Sequence, residues 1–143
     1  MSTLNNAISA SASALSAERT RIEVAVSNMA NAESTRSVNG EPYRRRDVVL
    51  TSDPANSFDA AFGHASATGV KVASVVVDQS DFQRRYEPSH PDADADGFVA
   101  LPNVDQSEEM VDMIGAARAY QANLAAISMI RDLVAKALEL GRS

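Results

Sequence analysis

A chain of 143 residues with a formal charge of −6 and no Cys is limited in what it can be before any motif is read. The length fits one ordinary domain, the acidic balance argues against a nucleic-acid partner, and without Cys there are neither disulfides nor thiolate metal sites or nucleophiles. Hydrophobic residues reach 45% while aromatics are only 5%, so the apolar content is largely Ala and Val, which suit close helix packing better than a thick core.

The opening Met1-Ser-Thr-Leu-Asn-Asn6 has no basic segment followed by an apolar one, so a cleaved secretory signal is not expected. No apolar run approaches the length of a membrane-spanning helix, and membrane insertion is not expected. The chain is then cytosolic, or exported by a route that reads no cleaved peptide.

Residues 4–30 read as a long helix. Leu4, Ile8, Leu15, Ile22, Val26 and Met29 recur at helical steps, with Ala12 and Ala25 on the same side. The first half is rich in Ser, which competes with the backbone for hydrogen bonds, so this end is expected to stay unfolded until it is packed. Turn chemistry from Glu33 to Pro42 ends the helix near Asn31.

From Tyr43 to Pro102 the period shortens. Tyr43–Leu50 and Val70–Asp78 are β-branched-rich runs, and Asp81–Tyr86 and Phe98–Leu101 are candidates to pair with them. Val70 and Val72 fall on one face and Val75 and Val77 on the other, which suggests a bulge or a strand buried on both sides. The stretch 52–68, anchored only by Phe58 and Phe62, reads as a mobile surface loop.

The last helix spans about 107–140. Met110, Met113, Ala117, Tyr120, Leu124, Ile127, Arg131, Val134 and Leu138 alternate steps of three and four, the spacing that keeps one edge against a neighbouring helix. Ile130, Leu133, Ala137 and Leu140 run beside them. Asp105 has capping-box spacing to Glu108, with Ser107 as the rival cap, and Gly141 is the natural stop. Such a helix would be roughly 50 Å long, longer than the core of a domain this size, so its stripe needs another helix.

Chemical motifs are scarce. Asp92-Ala-Asp94-Ala-Asp96-Gly97 matches the opening of an EF-hand calcium loop, but position 12 falls on Asn103 rather than Glu, and the flanks are not helical. An acidic turn between strands is the favoured reading, with calcium binding as the weaker one. Alternation splits Arg45 from Arg44 and Arg46, so they form no phosphate patch but a solvated strand edge, or a charge match for an acidic partner. His90, between Pro88 and Pro91, reads as a turn residue. Glu108 and Glu109 point about 100° apart on a helix, which suits a helix start better than acid/base catalysis. Catalytic, cofactor and metal residues are therefore not expected.

Three blocks carry a resemblance: Ser27-Asn-Met-Ala-Asn-Ala-Glu-Ser-Thr35; Arg36 through Asp47; and Tyr86 through Val104, followed by Glu108-Glu-Met-Val-Asp-Met-Ile114 and Arg118-Ala-Tyr-Gln-Ala-Asn123. Together they resemble the axial rod and hook protein family of the bacterial flagellum, its rod members more than its hook members. The motif positions are Asn28, Ala30, Asn31, Thr35, Pro42, Tyr43, Arg44, Pro88, His90, Pro91, Asp92, Gly97, Pro102, Asn103, Glu109, Met110, Arg118, Tyr120, Gln121 and Asn123.

The resemblance implies a structural, non-enzymatic subunit of the basal-body proximal rod. Such a protein is exported unprocessed by the flagellar type III apparatus into the periplasmic rod, where it transmits torque. Its implied partners are its own copies, other rod proteins, the adaptor at the export-ring base and a rod-capping protein. The expected fold is α+β. An N-terminal assembly helix (1–31) and a C-terminal one (105–143) form a coiled-coil-type pair around a small β-rich insert (32–104). The expected assembly surface comprises Leu4, Ile8, Leu15, Ile22, Val26, Met29, Met110, Met113, Ala117, Tyr120, Leu124, Ile127, Val134 and Leu138. The residues alone leave a second class open, a soluble homo-oligomeric coiled-coil adaptor with a β ligand module.

Overall fold

The computed structural model describes residues 2–37, 39–53 and 69–141. In chain order the elements are α1 (Ser2–Ala30), β1 (Arg46–Asp53), β2 (Gly69–Val77), β3 (Gln83–Tyr86), β4 (Phe98–Leu101) and α2 (Gln106–Leu140). The architecture is α+β, two long helices bracketing a small β insert.

The end of α1 and both ends of α2 follow the chemistry read from their sequence. At the start of α2, Asp105 Oδ1 accepts the amides of Ser107 at 2.7 Å and Glu108 at 3.3 Å, so Asp105 is the N-cap and Ser107 is not. At the close of α1, Asn31 Nδ2 donates to Ser27 O at 2.8 Å, and its backbone amide bonds the carbonyls of Ser27 and Asn28. Ser and Thr within α1 do not disrupt it. Ser13 Oγ donates to Ala10 O and Thr20 Oγ1 to Ser16 O, back-bonds that keep the hydroxyls inside the helix.

The strands differ from expectation in three ways. β1 starts at Arg46 rather than Tyr43 and runs to Asp53, taking in two residues read as loop. The backbone before it is diverted, because Tyr43 N bonds Ser34 O and Arg45 N bonds Asn103 Oδ1 instead of a ladder. The second difference is pairing. β1 and β2 form one two-stranded sheet, while β3 and β4 pair with each other rather than with them. Third, Val75, Val76 and Val77 are exposed instead of buried on both sides. In a two-stranded ribbon the remaining faces are covered only if another element reaches them. Residues 54–68, including Phe58 and Phe62 and most of the expected mobile loop, lie outside the described residues.

The chain divides into two compact units. One contains Met1–Thr20, Leu50–Ala73 and Gly115–Ser143. Ala17 and Ala116 are buried there, and Val70 N donates to Ser13 Oγ at 3.0 Å, tying the start of β2 to α1. The other contains Arg21–Val49 and Ser74–Ile114. Its apolar core includes Ala25, Ala32, Val99, Leu101 and Val104, with Pro102 also fully buried. β3 and β4 are antiparallel, with Arg85 opposite Val99 and Tyr86 opposite Phe98, so Val99 and Leu101 turn inward while Tyr86 and Phe98 share the outer face. Burying one methylene-sized group is worth only about 0.8 kcal/mol. Alanines therefore close the helices without holding them tightly.

Candidate functional site

Two features bear on function: a buried polar cluster and the helix surface left uncovered. The cluster lies in the second unit, where the end of α1, the approach to β1 and the start of α2 meet. Asn28 is 0% exposed and Glu109 is 2% exposed. Asn28 Nδ2 donates to Arg46 O at 2.8 Å and to Glu109 Oε2 at 2.9 Å. Its Oδ1 accepts from Tyr43 Oη at 2.9 Å and from Arg46 N at 3.0 Å. All of its amide hydrogen-bonding capacity is used. On the other side Glu109 Oε1 accepts from Arg45 Nε at 2.6 Å.

Arg45 is the cation of this cluster, and Asp47 and Asp112 stand 3.5 Å and 3.6 Å from its Nη2. Burial works against the charge of Arg45, but the hydrogen bond to Glu109 and the field of Asp47 outweigh it, and its pKa is raised above the ordinary value. Sequence reading put Arg45 on a solvated strand edge and Glu109 among the dipole-facing acids of a helix start. Glu109 is instead interior and Arg45 half-buried, each completing the other. The legible signal was spacing, since Asn28 stands three residues after Ala25 and so shares its buried side of α1.

The acidic turn is the connection between β3 and β4. Asp94 Oδ1 accepts from Asp96 N and Phe98 N, and Asp94 Oδ2 pairs with Arg84 Nη2 at 2.6 Å. Asp92 takes Thr35 Oγ1 at 2.8 Å and Arg36 Nη2 at 2.6 Å. These carboxylates are directed at protein donors of the turn and the segment beside it. His90 is a turn residue, its Nδ1 accepting Asp92 N at 3.1 Å. Gly97 sits at φ +80°, and a Cβ there would stand 2.9 Å from the Tyr86 ring, so both the backbone and the packing require Gly. Tyr86 packs edge-on to Phe98, whose ring also carries the Arg84 guanidinium. Arg44 and Arg46 lie over Phe82 and Tyr43 in turn, so the three consecutive arginines have three separate environments.

Of the motif positions, Asn28, Tyr43, Asn103 and Glu109 gather around Arg45, while Thr35, His90 and Asp92 gather at the turn. Gly97 and Pro102 are buried. Asn31 caps α1, and Asn123 bonds the Ala119 carbonyl within α2. Pro42 and Arg44 are half-buried. Ala30, Pro88, Pro91, Arg118 and Gln121 are exposed.

The expected assembly residues divide by exposure. Leu4, Ile8, Leu15, Ile22, Met29, Met113, Ala117, Tyr120, Ile127 and Val134 are half-buried. Val26, Met110, Leu124 and Leu138 are exposed, Leu124 at 53%. Met129 and Leu133, on a different side of α2, are more exposed still. Among the described residues, no helix is long and apolar enough to cross a membrane.

Two long helices that keep large apolar side chains exposed, around an interior polar cluster whose groups bond one another, define a structural subunit. Known proteins agree. Residues 95–140 match the family described as the C-terminal region of the flagellar basal body rod FlgEFG proteins. The chain is 44% identical to the flagellar basal-body rod protein FlgC of Bacillus subtilis strain 168, over 96% of this chain and 97% of that protein. It is 43% identical to FlgC of Salmonella typhimurium strain LT2, over 97% and 98%, and 36% identical to FlgC of Borreliella burgdorferi strain B31, over 96% and 97%. The chain belongs to the FlgC family of flagellar basal-body rod proteins. Those full-length likenesses do not favour the soluble adaptor.

Proposed function

We infer that this protein is a structural, non-enzymatic subunit of the flagellar rod, which it joins through the uncovered apolar faces of α1 and α2. The carrying observation is Leu124, more than half exposed on α2 alongside Leu138, with Met129 and Leu133 on another side. Four large apolar side chains, each more than half in water on one helix, represent burial not yet made, about half of the roughly 1.5–3 kcal/mol that full burial of each is worth. Neighbouring subunits and other rod proteins supply the cover. A contact of one face with a different face of the next copy extends as a helical array where its rotation does not close into a ring.

Supply of the chain to that array follows from the same reading. Export without a cleaved signal into the periplasmic rod, delivery past an export-ring adaptor and guidance by a rod-capping protein belong to that reading, in which the two ends of the chain are the parts that meet neighbours. The assembly segments are 1–31 and 105–143, with the β insert of 32–104 as the body between them.

The experiment is a pair of substitutions within one turn of α2. Leu124→Asp is expected to abolish swimming and rod incorporation while leaving export and the melting of the purified chain near parental. Ile127→Asp, at a half-buried position, is expected to lower the melting temperature as well. Normal swimming with Leu124→Asp would reject the assembly surface.

A further inference from the structure

We propose that Asn28, Arg45 and Glu109 form a register lock, which fixes one alignment of the last turns of α1 with the first turns of α2 and contributes little net stability. The apolar groups beside the lock, Ala25 on α1 and Ala32 just past its end, are single methyl groups, so a displacement of this segment along α2 loses little apolar contact there.

The polar groups cannot be shifted in this way. Asn28 would lose Glu109 Oε2, now at 2.9 Å, together with the Arg46 amide and carbonyl and the Tyr43 hydroxyl. Glu109 would keep a buried carboxylate without the Asn28 amide, and Arg45 reaches it by a single Nε contact at 2.6 Å. Every misaligned arrangement therefore strands at least one buried polar group, which costs far more than a methyl contact returns. A buried Asn that specifies alignment at the expense of stability is the best attested use of polar groups in helix seams. Here the same device also binds the strand approach, because both Arg45 and Arg46 take part.

Because the native chain has no Cys, the test can be made with introduced thiols. Nitroxide labels at Val26→Cys and Met110→Cys, both exposed and both in the second unit, report the alignment by pulsed electron paramagnetic resonance. The parent is expected to give one narrow distance. The triple variant Asn28→Leu, Arg45→Met, Glu109→Leu is expected to melt no lower than the parent and to give two or more distances. A single parental distance in the triple variant would overturn the lock. So would a triple variant that melts lower or fails to fold, since the cluster would then be supplying stability rather than alignment.

Discussion

Gly69 meets Ser13 so closely that a Cβ at position 69 would stand 2.8 Å from the serine Oγ. The serine is not free to turn aside, because its hydroxyl already donates to Ala10 O and accepts from Val70 N. One hydroxyl thus joins α1 to the first residues of β2 in the first unit, and the missing side chain at 69 is what lets it do so.

Gly69→Ala is therefore expected to destabilise the purified chain by about 1–3 kcal/mol, the range for inserting a methyl group into a filled site. Ser13→Ala removes the hydroxyl and with it two bonds, each worth about 0.5–1.5 kcal/mol. The double variant is expected to cost less than the sum, because losing Oγ makes room for the new methyl. Denaturant unfolding of the four chains measures the coupling, and strict additivity would mean that the two residues do not share the site.

Arg45 and Glu109 are unequal partners, and single substitutions should reveal it. Removing either member of a buried pair costs about 3–5 kcal/mol. The survivor decides where in that range the loss falls. Without Glu109, Arg45 retains Asp47 and Asp112 within reach and 19% of its side chain exposed. Without Arg45, Glu109 keeps a 3% exposed carboxylate that, among the described residues, only the Asn28 amide addresses. Arg45→Met is expected to cost more than Glu109→Leu in urea unfolding at neutral pH, and the reverse order would show that Arg45 is the more costly charge to strand.

Much of this architecture was legible in the chain and some was not, for physical reasons. The helices could be read because a 3-4 alternation sustained over many turns places apolar groups on one face of a helix and on no single face of a strand. Asp105 could be read as a candidate cap because N-capping is local. The acidic turn was legible for the same reason, with Gly97 closing it. The polar cluster was hidden because its members come from positions 28, 43, 45, 103 and 109, and nothing in a local window links them. Glu109 satisfied the local rule for a helix start, which concealed its interior role. The start of β1 was missed because Tyr43 and Arg45 have strand character yet spend their amides on Ser34 and Asn103. The phase change between Val70/Val72 and Val75/Val77 read as a bulge or a strand buried on both sides; the second alternative fails, because Val75 and Val77 stay exposed.

Acid should loosen the turn between β3 and β4 only at unusually low pH. The Phe98 amide, chiefly, then the Arg84 guanidinium and the Asp96 amide, favour the ionised form of Asp94 over its desolvation and hold its pKa below the ordinary 3.8. A carboxylate depressed in the folded state binds fewer protons there than in the unfolded chain. Its contribution is thus present above the unfolded value and is lost as pH falls through the folded one. Carboxyl-carbon NMR titration is expected to place the Asp94 midpoint below that ordinary value, and Arg84→Ala is expected to move it upward. An ordinary midpoint in the parent would mean that the turn does not hold the carboxylate.

Gly115 presents the opposite case from Gly69. It lies within α2, at no positive φ, and a Cβ there would meet nothing within 4 Å among the described residues. The chain's own packing does not require Gly, yet Gly within a helix costs about 0.5–1 kcal/mol relative to Ala. Gly115→Ala is accordingly expected to raise the unfolding free energy of the purified chain by that amount, seen as a higher denaturant midpoint at unchanged slope. If the bare backbone at 115 serves close approach by a neighbouring subunit, the same variant should swim less well despite its greater stability, and Gly115→Leu should swim worse again. Swim-zone diameters set beside the unfolding curves separate the two effects. Parental swimming in both variants would mean that the rod contact leaves this turn of α2 uncovered, and would confine the assembly surface to the residues around Leu124 and beyond.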